Sequence, residues 1–199
     1  MKKRFTLTEI LVVVFLIGVL TVIGFGMYGY AMNSGREKAT RSLIARIEAA
    51  LESCNTKFGY IPTSIPSSST TPAFNTIKIT VGSNGEITVV DFNGKKFQSS
   101  VDKDKDYLKE FLQVIDAEAL KGSVNSSSGE LEDSWGNTIY YAYPGRFNKT
   151  SYDLYSAGAD GRVGKNNAEL STTTLNGAAV GIFKDTSDNS MLCDDIINF

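Results

Sequence analysis

The sequence predicts an α+β protein in which a long N-terminal helix packs on a small antiparallel β-sheet head. Residues 10–32 contain no Asp, Glu, Lys or Arg, and apolar residues recur with helical spacing over 43–58. The helical spacing after the uncharged run predicts that the helix continues past it as one long stem. Further along, apolar and polar residues alternate over 77–90, which predicts strands that pair as hairpins.

The first half of this helix has the composition of a membrane anchor. Residues 2–4 are basic, and Glu9 is the only charged residue within 5–32. As a helix the uncharged run would span about 34 Å, which is enough to cross a hydrocarbon core. The positive-inside rule then predicts a single-pass anchor with a cytoplasmic N-terminus. A cleaved secretory signal is the alternative, but its apolar region is shorter and ends at small residues.

The second half of the helix is amphipathic and has a clear end. Its polar faces carry both signs of charge, and Gly59 is followed by Tyr60-Ile61-Pro62, which predicts that the helix stops there. One face is apolar and predicts packing on a globular head; it consists of Leu43, Ile47, Ala50, Leu51, Cys54 and Phe58.

The rest of the chain predicts a small sheet and a second helix. Strands are predicted at 77–81, 87–90 and 95–98, with a hairpin turn at Asn93-Gly94. Apolar residues at helical spacing over 108–119 predict a second helix that ends near Gly122. Two further short strands are predicted at 138–143 and 152–156, and another at 178–183.

The composition excludes several classes of function. The 199 residues include no histidine, so Ser-His-Asp and Cys-His catalytic sites are absent. The net charge of −2 gives no general attraction to nucleic acid, and we expect no nucleic-acid partner. The two cysteines, Cys54 and Cys193, are permitted to form a disulfide if the head lies outside the cytoplasm. Two buried free thiols are the alternative, since sequence alone does not pair them.

The N-terminus resembles the signal of type IV pilins and type II secretion pseudopilins. The motif is Phe5-Thr6-Leu7-Thr8-Glu9 followed by the apolar run. The resemblance implies that a prepilin peptidase removes residues 1–4 by cutting between Arg4 and Phe5, although the family usually has Gly before the cut. It also implies that the new amine of Phe5 is methylated. Residues 5–32 would be the half of the stem helix that spans the membrane and later forms the filament core. Residues 33–199 would form a soluble pilin-like head that includes the amphipathic half of the stem helix.

Glu9 lies four residues after Phe5, as an acidic residue does in the resembling family. A carboxylate inside an apolar helix is costly and calls for a partner. The free amine of Phe5 in a neighbouring subunit would supply the opposite charge and fix the register between subunits. The alternative is that Glu9 lies at the membrane interface and extends toward water.

A second resemblance lies in the C-terminal half. Three blocks occur in order: Asp133-Ser134-Trp135-Gly136-Asn137, then Tyr143-Pro144-Gly145, then Gly158-Ala159-Asp160-Gly161. They resemble elements of the major pseudopilin of type II secretion systems, and they imply a type IV pilin-like fold. We interpret Trp135 as a core anchor in a turn rather than as a catalytic residue.

The resemblance also implies a calcium site, because the loop that begins near Asp160 binds calcium in that family. Carried over by position, the carboxylates would come from Asp160, Asp194 and Asp195, and backbone carbonyls from Ala157 and Arg162. Calcium takes six to eight oxygen ligands. Here 33 residues separate Asp160 from Asp194, whereas the family has only a few. The alternative is a solvated acidic turn without metal.

Together these features predict a structural subunit of a pseudopilus that supports type II secretion across the outer membrane, and not an enzyme. The expected partners are further copies, other pseudopilins, the prepilin peptidase and the inner-membrane assembly platform. The expected location is the inner membrane with a periplasmic head, and then a filament. Two alternatives remain: a type IV pilus subunit for adhesion, motility or DNA uptake, and a membrane-tethered ligand-binding module that does not polymerise.

Overall fold

A computed structural model describes residues 6–63, 73–92, 95–164, 168–178 and 196–198. The chain forms two compact units, Met1–Arg36 and Glu37–Phe199. The predicted leader at 1–4, the Asn93-Gly94 turn and the predicted strand residues 179–183 lie outside the described residues.

Helix α1 covers Leu7–Phe58, and its first part exposes a nearly continuous apolar surface. Leu7 is 82% exposed and Val22 is 74% exposed, and the large apolar side chains between them are exposed too. Among the residues that the structure describes, no helix combines the length and apolarity needed to span a membrane.

The second part of α1 packs on the head through one face, as its spacing predicts. The helix ends at Phe58 and Gly59 has a φ of 74°, so the predicted stop is confirmed. The buried side chains recur three or four residues apart and form the helix side of the main core; they are Thr40, Leu43, Ile44, Ile47, Ala50, Leu51 and Cys54.

The head contains a six-stranded sheet in the order β3-β2-β1-β4-β5-β8, and every neighbouring pair is antiparallel. The predicted α+β class is therefore confirmed. The strands are β1 Asn75–Val81, β2 Ile87–Phe92, β3 Lys95–Gln98, β4 Tyr140–Ala142, β5 Asp153–Ser156 and β8 Ile196–Ile197.

The sheet has a hydrophobic cluster on each face of β4 and β5. Tyr141 and Leu154 lie in the cluster that includes the buried face of α1. Tyr140 and Tyr155 lie in the other cluster, because side chains alternate between the two faces of a strand. That second cluster also contains Phe74, Val163 and Leu175, so described residues between 162 and 178 cover the face of the sheet opposite α1.

Two parts of the head differ from the prediction. The single helix expected over 108–119 is two helices, α2 Asp102–Ile115 and α3 Ala117–Lys121, separated by Asp116 with a φ of 68°. The Asp116 side chain accepts a hydrogen bond from the Glu118 backbone N–H and so begins α3. The region after the glycine-rich loop holds a small hairpin, β6 Arg162–Val163 and β7 Ala168–Glu169, and helix α4 Thr172–Gly177, none of which was predicted.

Candidate functional site

The buried carboxylate of Asp133 organises the Asp-Ser-Trp-Gly-Asn block. Its Oδ1 accepts hydrogen bonds from the backbone N–H groups of Trp135 at 2.8 Å and Asn137 at 2.9 Å. Its Oδ2 accepts a hydrogen bond from the Ser156 hydroxyl at 2.7 Å. Asp133 is only 7% exposed, so these bonds replace the water that burial removes. The block is thereby fixed to the end of β5.

Two further contacts join this block to the helix and to the glycine-rich loop. The backbone N–H of Ser134 donates to the hydroxyl of Thr40, which is fully buried on α1. The side-chain amide of Asn137 donates to the carbonyl oxygen of Gly158 at 2.7 Å. Gly161 has a φ of 65°, and a Cβ there would lie 2.9 Å from Asn137 Oδ1. These hydrogen bonds join the Asp133 block to α1, to the end of β5 and to the glycine-rich loop.

Trp135 is partly buried and packs against the core cluster on the α1 side of the sheet, which agrees with its interpretation as a core anchor. Its indole Nε1 is buried and has no hydrogen-bond partner among the residues that the structure describes.

The loop of the predicted calcium site is only partly described. Ala157 is buried in the second cluster, whereas Asp160 is exposed and its Oδ1 accepts a hydrogen bond from the Arg162 backbone N–H at 2.8 Å. Asp194 and Asp195 lie outside the described residues. Within the described ranges, no three His, Cys, Asp or Glu residues are grouped in a way that could hold a metal ion. The described donors therefore supply one carboxylate and backbone carbonyls.

The end of the chain nevertheless returns to this loop. In β8, Ile196 pairs with Ser156 and Ile197 pairs with Tyr155. The Asn198 side chain accepts a hydrogen bond from the Leu154 backbone N–H at 2.6 Å and donates to the Tyr152 carbonyl oxygen at 3.3 Å. The 33-residue separation in sequence therefore does not separate Ile196 from the strand that leads into the loop.

Of the two cysteines in the predicted disulfide, the structure describes only Cys54. Cys54 is buried on α1, and its thiol donates to the carbonyl oxygen of Tyr107 at 3.8 Å. Burial raises the pKa of this thiol to about 11, which keeps it protonated and unreactive at neutral pH. Cys193 lies outside the described residues, so the disulfide stays a prediction.

The residues of the predicted cleavage site, Arg4 and Phe5, lie outside the described residues. Glu9 is described, and its carboxylate binds Thr6 at the start of α1. Glu9 Oε2 accepts hydrogen bonds from the Thr6 backbone N–H at 2.7 Å and the Thr6 hydroxyl at 2.8 Å, and the Glu9 N–H donates to that hydroxyl. This is a capping box. The capping box was not predicted, although the Thr-x-x-Glu spacing at the start of an apolar run indicates one.

Residues 113–173 match the family model described as type II secretion system protein G. Over this stretch the chain is similar to that family of pseudopilins. The match covers about a third of the chain, from the last three residues of α2 to the start of α4, and includes the Asp133 block, β4, β5 and the glycine-rich loop. This family has a structural role in type II secretion and is not enzymatic. No curated protein and no solved structure gives a significant match.

Proposed function

We propose that this pseudopilin-like chain polymerises into a pseudopilus through its N-terminal helix and thereby supports protein secretion across the outer membrane. The supporting observation is the exposed apolar surface of α1 between Leu7 and Val22. A soluble monomer rarely exposes so much contiguous apolar surface, because water disfavours it. Lipid before assembly and neighbouring helices after assembly would both cover it.

The proposed route begins at the inner membrane with the N-terminus in the cytoplasm and the head in the periplasm. A prepilin peptidase would remove residues 1–4, Phe5 would be methylated, and the assembly platform would add the subunit to copies of itself and to other pseudopilins. The basic residues 2–4 and the uncharged run 10–32 support this orientation.

The role of Glu9 gives a test, because capping and pairing with a neighbour need different chemistry. Glu9→Gln keeps an oxygen for the Thr6 N–H but removes the charge that would pair with the Phe5 amine. We expect Glu9→Gln and Glu9→Ala both to abolish sheared filaments while the chain still accumulates in the membrane. Mass spectrometry of wild-type filaments should show a chain that begins at methylated Phe5.

Glu86→Gln is a matched control, because Glu86 is an exposed acidic residue in the turn between β1 and β2. We expect the Glu86→Gln chain to assemble into filaments normally. Normal filaments from Glu9→Gln would contradict the charge pairing. A filament subunit that begins at Met1 would contradict the processing route, and a wild-type chain that never forms filaments would contradict the proposed function.

We also propose that the loop after β5 binds calcium through Asp160, Asp194 and Asp195, with carbonyl oxygens of Ala157 and Arg162. The return of β8 beside Ser156 supports this proposal, since Ile196 directly follows Asp195 in the sequence. Calcium binding to the folded state alone raises the melting temperature by mass action. We expect calcium to raise the melting temperature of the full chain in detergent and Asp160→Asn to remove most of that rise.

Asp102→Asn is the control for this experiment, because it removes an exposed carboxylate at the start of α2. It should leave the calcium response unchanged. A melting temperature that is the same with calcium and with chelator would show the alternative, a solvated acidic turn without metal.

A further inference from the structure

On the outward face of α1 within the second unit, a basic pair precedes an acidic pair, and the exposed Glu37 lies beside the basic pair. Lys38 and Arg41 are exposed near the start of this part of the helix, whereas Glu52 is exposed and Glu48 half-buried further along. Glu48 follows Lys38 by ten residues, and Glu52 follows Arg41 by eleven. At 3.6 residues per turn, ten or eleven residues make about three turns, so the basic and acidic pairs share one face about 16 Å apart.

The surface directly between the two pairs carries short side chains, whereas the exposed Arg46 lies about 100° around the helix from Ala45. Ser42, Ala45 and Ala49 are exposed there, and their side chains are short. The distance between two packed helices depends on the side chains at the contact, so a second helix could approach this face closely. We call Lys38, Arg41, Ala45, Glu48 and Glu52 the charged helix face.

The charges on this face are poorly balanced within the chain. Lys38 and Arg41 are three residues apart and Glu48 and Glu52 are four apart, so each pair repels along the helix. Arg41 pairs with Glu37 at 2.9 Å, but both side chains are about half exposed and such a pair contributes little. Within the described ranges, Lys38, Glu48 and Glu52 form no ion pair.

We propose that the charged helix face docks on a second copy of the chain, parallel to it and displaced by about three turns. Lys38 and Arg41 of one copy then lie against Glu48 and Glu52 of the next, so each pair gains opposite charges. This proposal rests on the proposed polymerisation. A displaced parallel contact uses two different patches and repeats from copy to copy, whereas an antiparallel contact would close a dimer.

Charge reversal in the full-length chain tests the contact. Lys38→Glu/Arg41→Glu should reduce sheared filaments at least about tenfold, because acidic groups then face acidic groups between copies. Glu48→Lys/Glu52→Lys should do the same with basic groups. The chain with all four reversals should recover filaments, and so should a mixture of the two double variants. Lys105→Glu, which reverses an exposed charge on α2, is the matched control and should assemble normally.

Cysteine cross-linking tests the displacement. In a Cys193→Ser chain, whose Cys54 is buried, Ala45→Cys/Thr56→Cys should form oxidised ladders of linked copies because these positions are eleven residues apart. Ala45→Cys alone should not. Dimers from Ala45→Cys alone would indicate an antiparallel contact and overturn the proposal.

The two proposals fail in different ways. Normal filaments from both double reversals would overturn the docking contact and leave polymerisation intact. Loss of filaments in every reversal variant, without recovery in the four-residue variant, would also overturn it, provided that each variant melts like the wild type. Absence of wild-type filaments would overturn both proposals.

Discussion

At the scale of single residues, Asp133 shows how one carboxylate holds distant parts of the head together. It accepts hydrogen bonds within its own turn and from Ser156, while the neighbouring Ser134 N–H reaches Thr40 on α1. The block that contains Asp133 was evident in the sequence. Its partners were not, because Thr40 and Ser156 lie far from it in the chain and neither belongs to a local pattern.

Replacing Asp133 by Asn tests this role. The Asn side chain has one acceptor oxygen, and its NH₂ group would face donors that now bind a carboxylate oxygen. Leaving one buried donor without an acceptor costs about 1–3 kcal/mol, so we expect the free energy of unfolding to fall by that amount. Denaturant unfolding of Asp133→Asn beside Asp102→Asn measures it, and equal stabilities would contradict the role.

At the scale of elements, a polar group ties the end of α1 to α2. The Ser53 hydroxyl donates to Glu110 Oε1 at 2.7 Å, and Lys57 pairs with the other carboxylate oxygen. The Lys57 ammonium first, and then the Ser53 hydroxyl, lower the pKa of the Glu110 carboxyl below its ordinary value of 4.5. The same contact raises the pKa of Lys57.

The lowered pKa of Glu110 predicts a pH dependence with a definite sign. A carboxyl with a lower pKa in the folded state stabilises the fold above its ordinary pKa, and this contribution is lost as pH falls through the folded-state value. Glu110→Gln should therefore reduce the loss of stability below pH 4.5. Melting temperatures of both chains between about pH 3 and pH 7 measure this, and parallel curves would contradict it.

Sequence patterns predicted the elements that local signals mark and missed those that depend on an unusual residue or on a distant strand. The end of α1 and the whole of β3 were predicted because glycine and strand alternation mark them locally. The break at Asp116 was missed because a positive φ usually occurs at glycine, and Asp116 adopts it with a side-chain cap. β8 is two residues long and exists through pairing with β5, so no local pattern predicts it.

At the scale of the whole molecule, the second unit has hydrophobic clusters on both faces of one sheet. Leu175 on α4 is fully buried in the cluster opposite α1. Asn176 holds this helix to the start of β1, because its Oδ1 accepts from the Phe74 N–H at 2.7 Å and its Nδ2 donates to the Phe74 carbonyl oxygen. The described residues between 162 and 178 are therefore part of the folded head.

We expect the two clusters to unfold together. Leu175→Ala removes a fully buried side chain and should lower the free energy of unfolding by about 2–5 kcal/mol. Trp135, the only tryptophan, packs against the other cluster, so its fluorescence reports on the side of the sheet remote from the substitution. Fluorescence and far-ultraviolet circular dichroism should give coincident transitions, both shifted. A transition by fluorescence that matches the wild type would show separate unfolding.

Helix α4 covers the face of β4 and β5 opposite α1, and this arrangement has a consequence for how such a head can vary in sequence. Strand residues that point toward α1 are Tyr141 and Leu154, whereas Tyr140 and Tyr155 point toward α4. Selection can therefore lengthen or replace the covering segment by changing one set of side chains and leaving the other untouched. An insertion in the segment that contains α4 adds new surface without altering the core between the sheet and α1. Related chains can therefore have different surfaces on the same sheet.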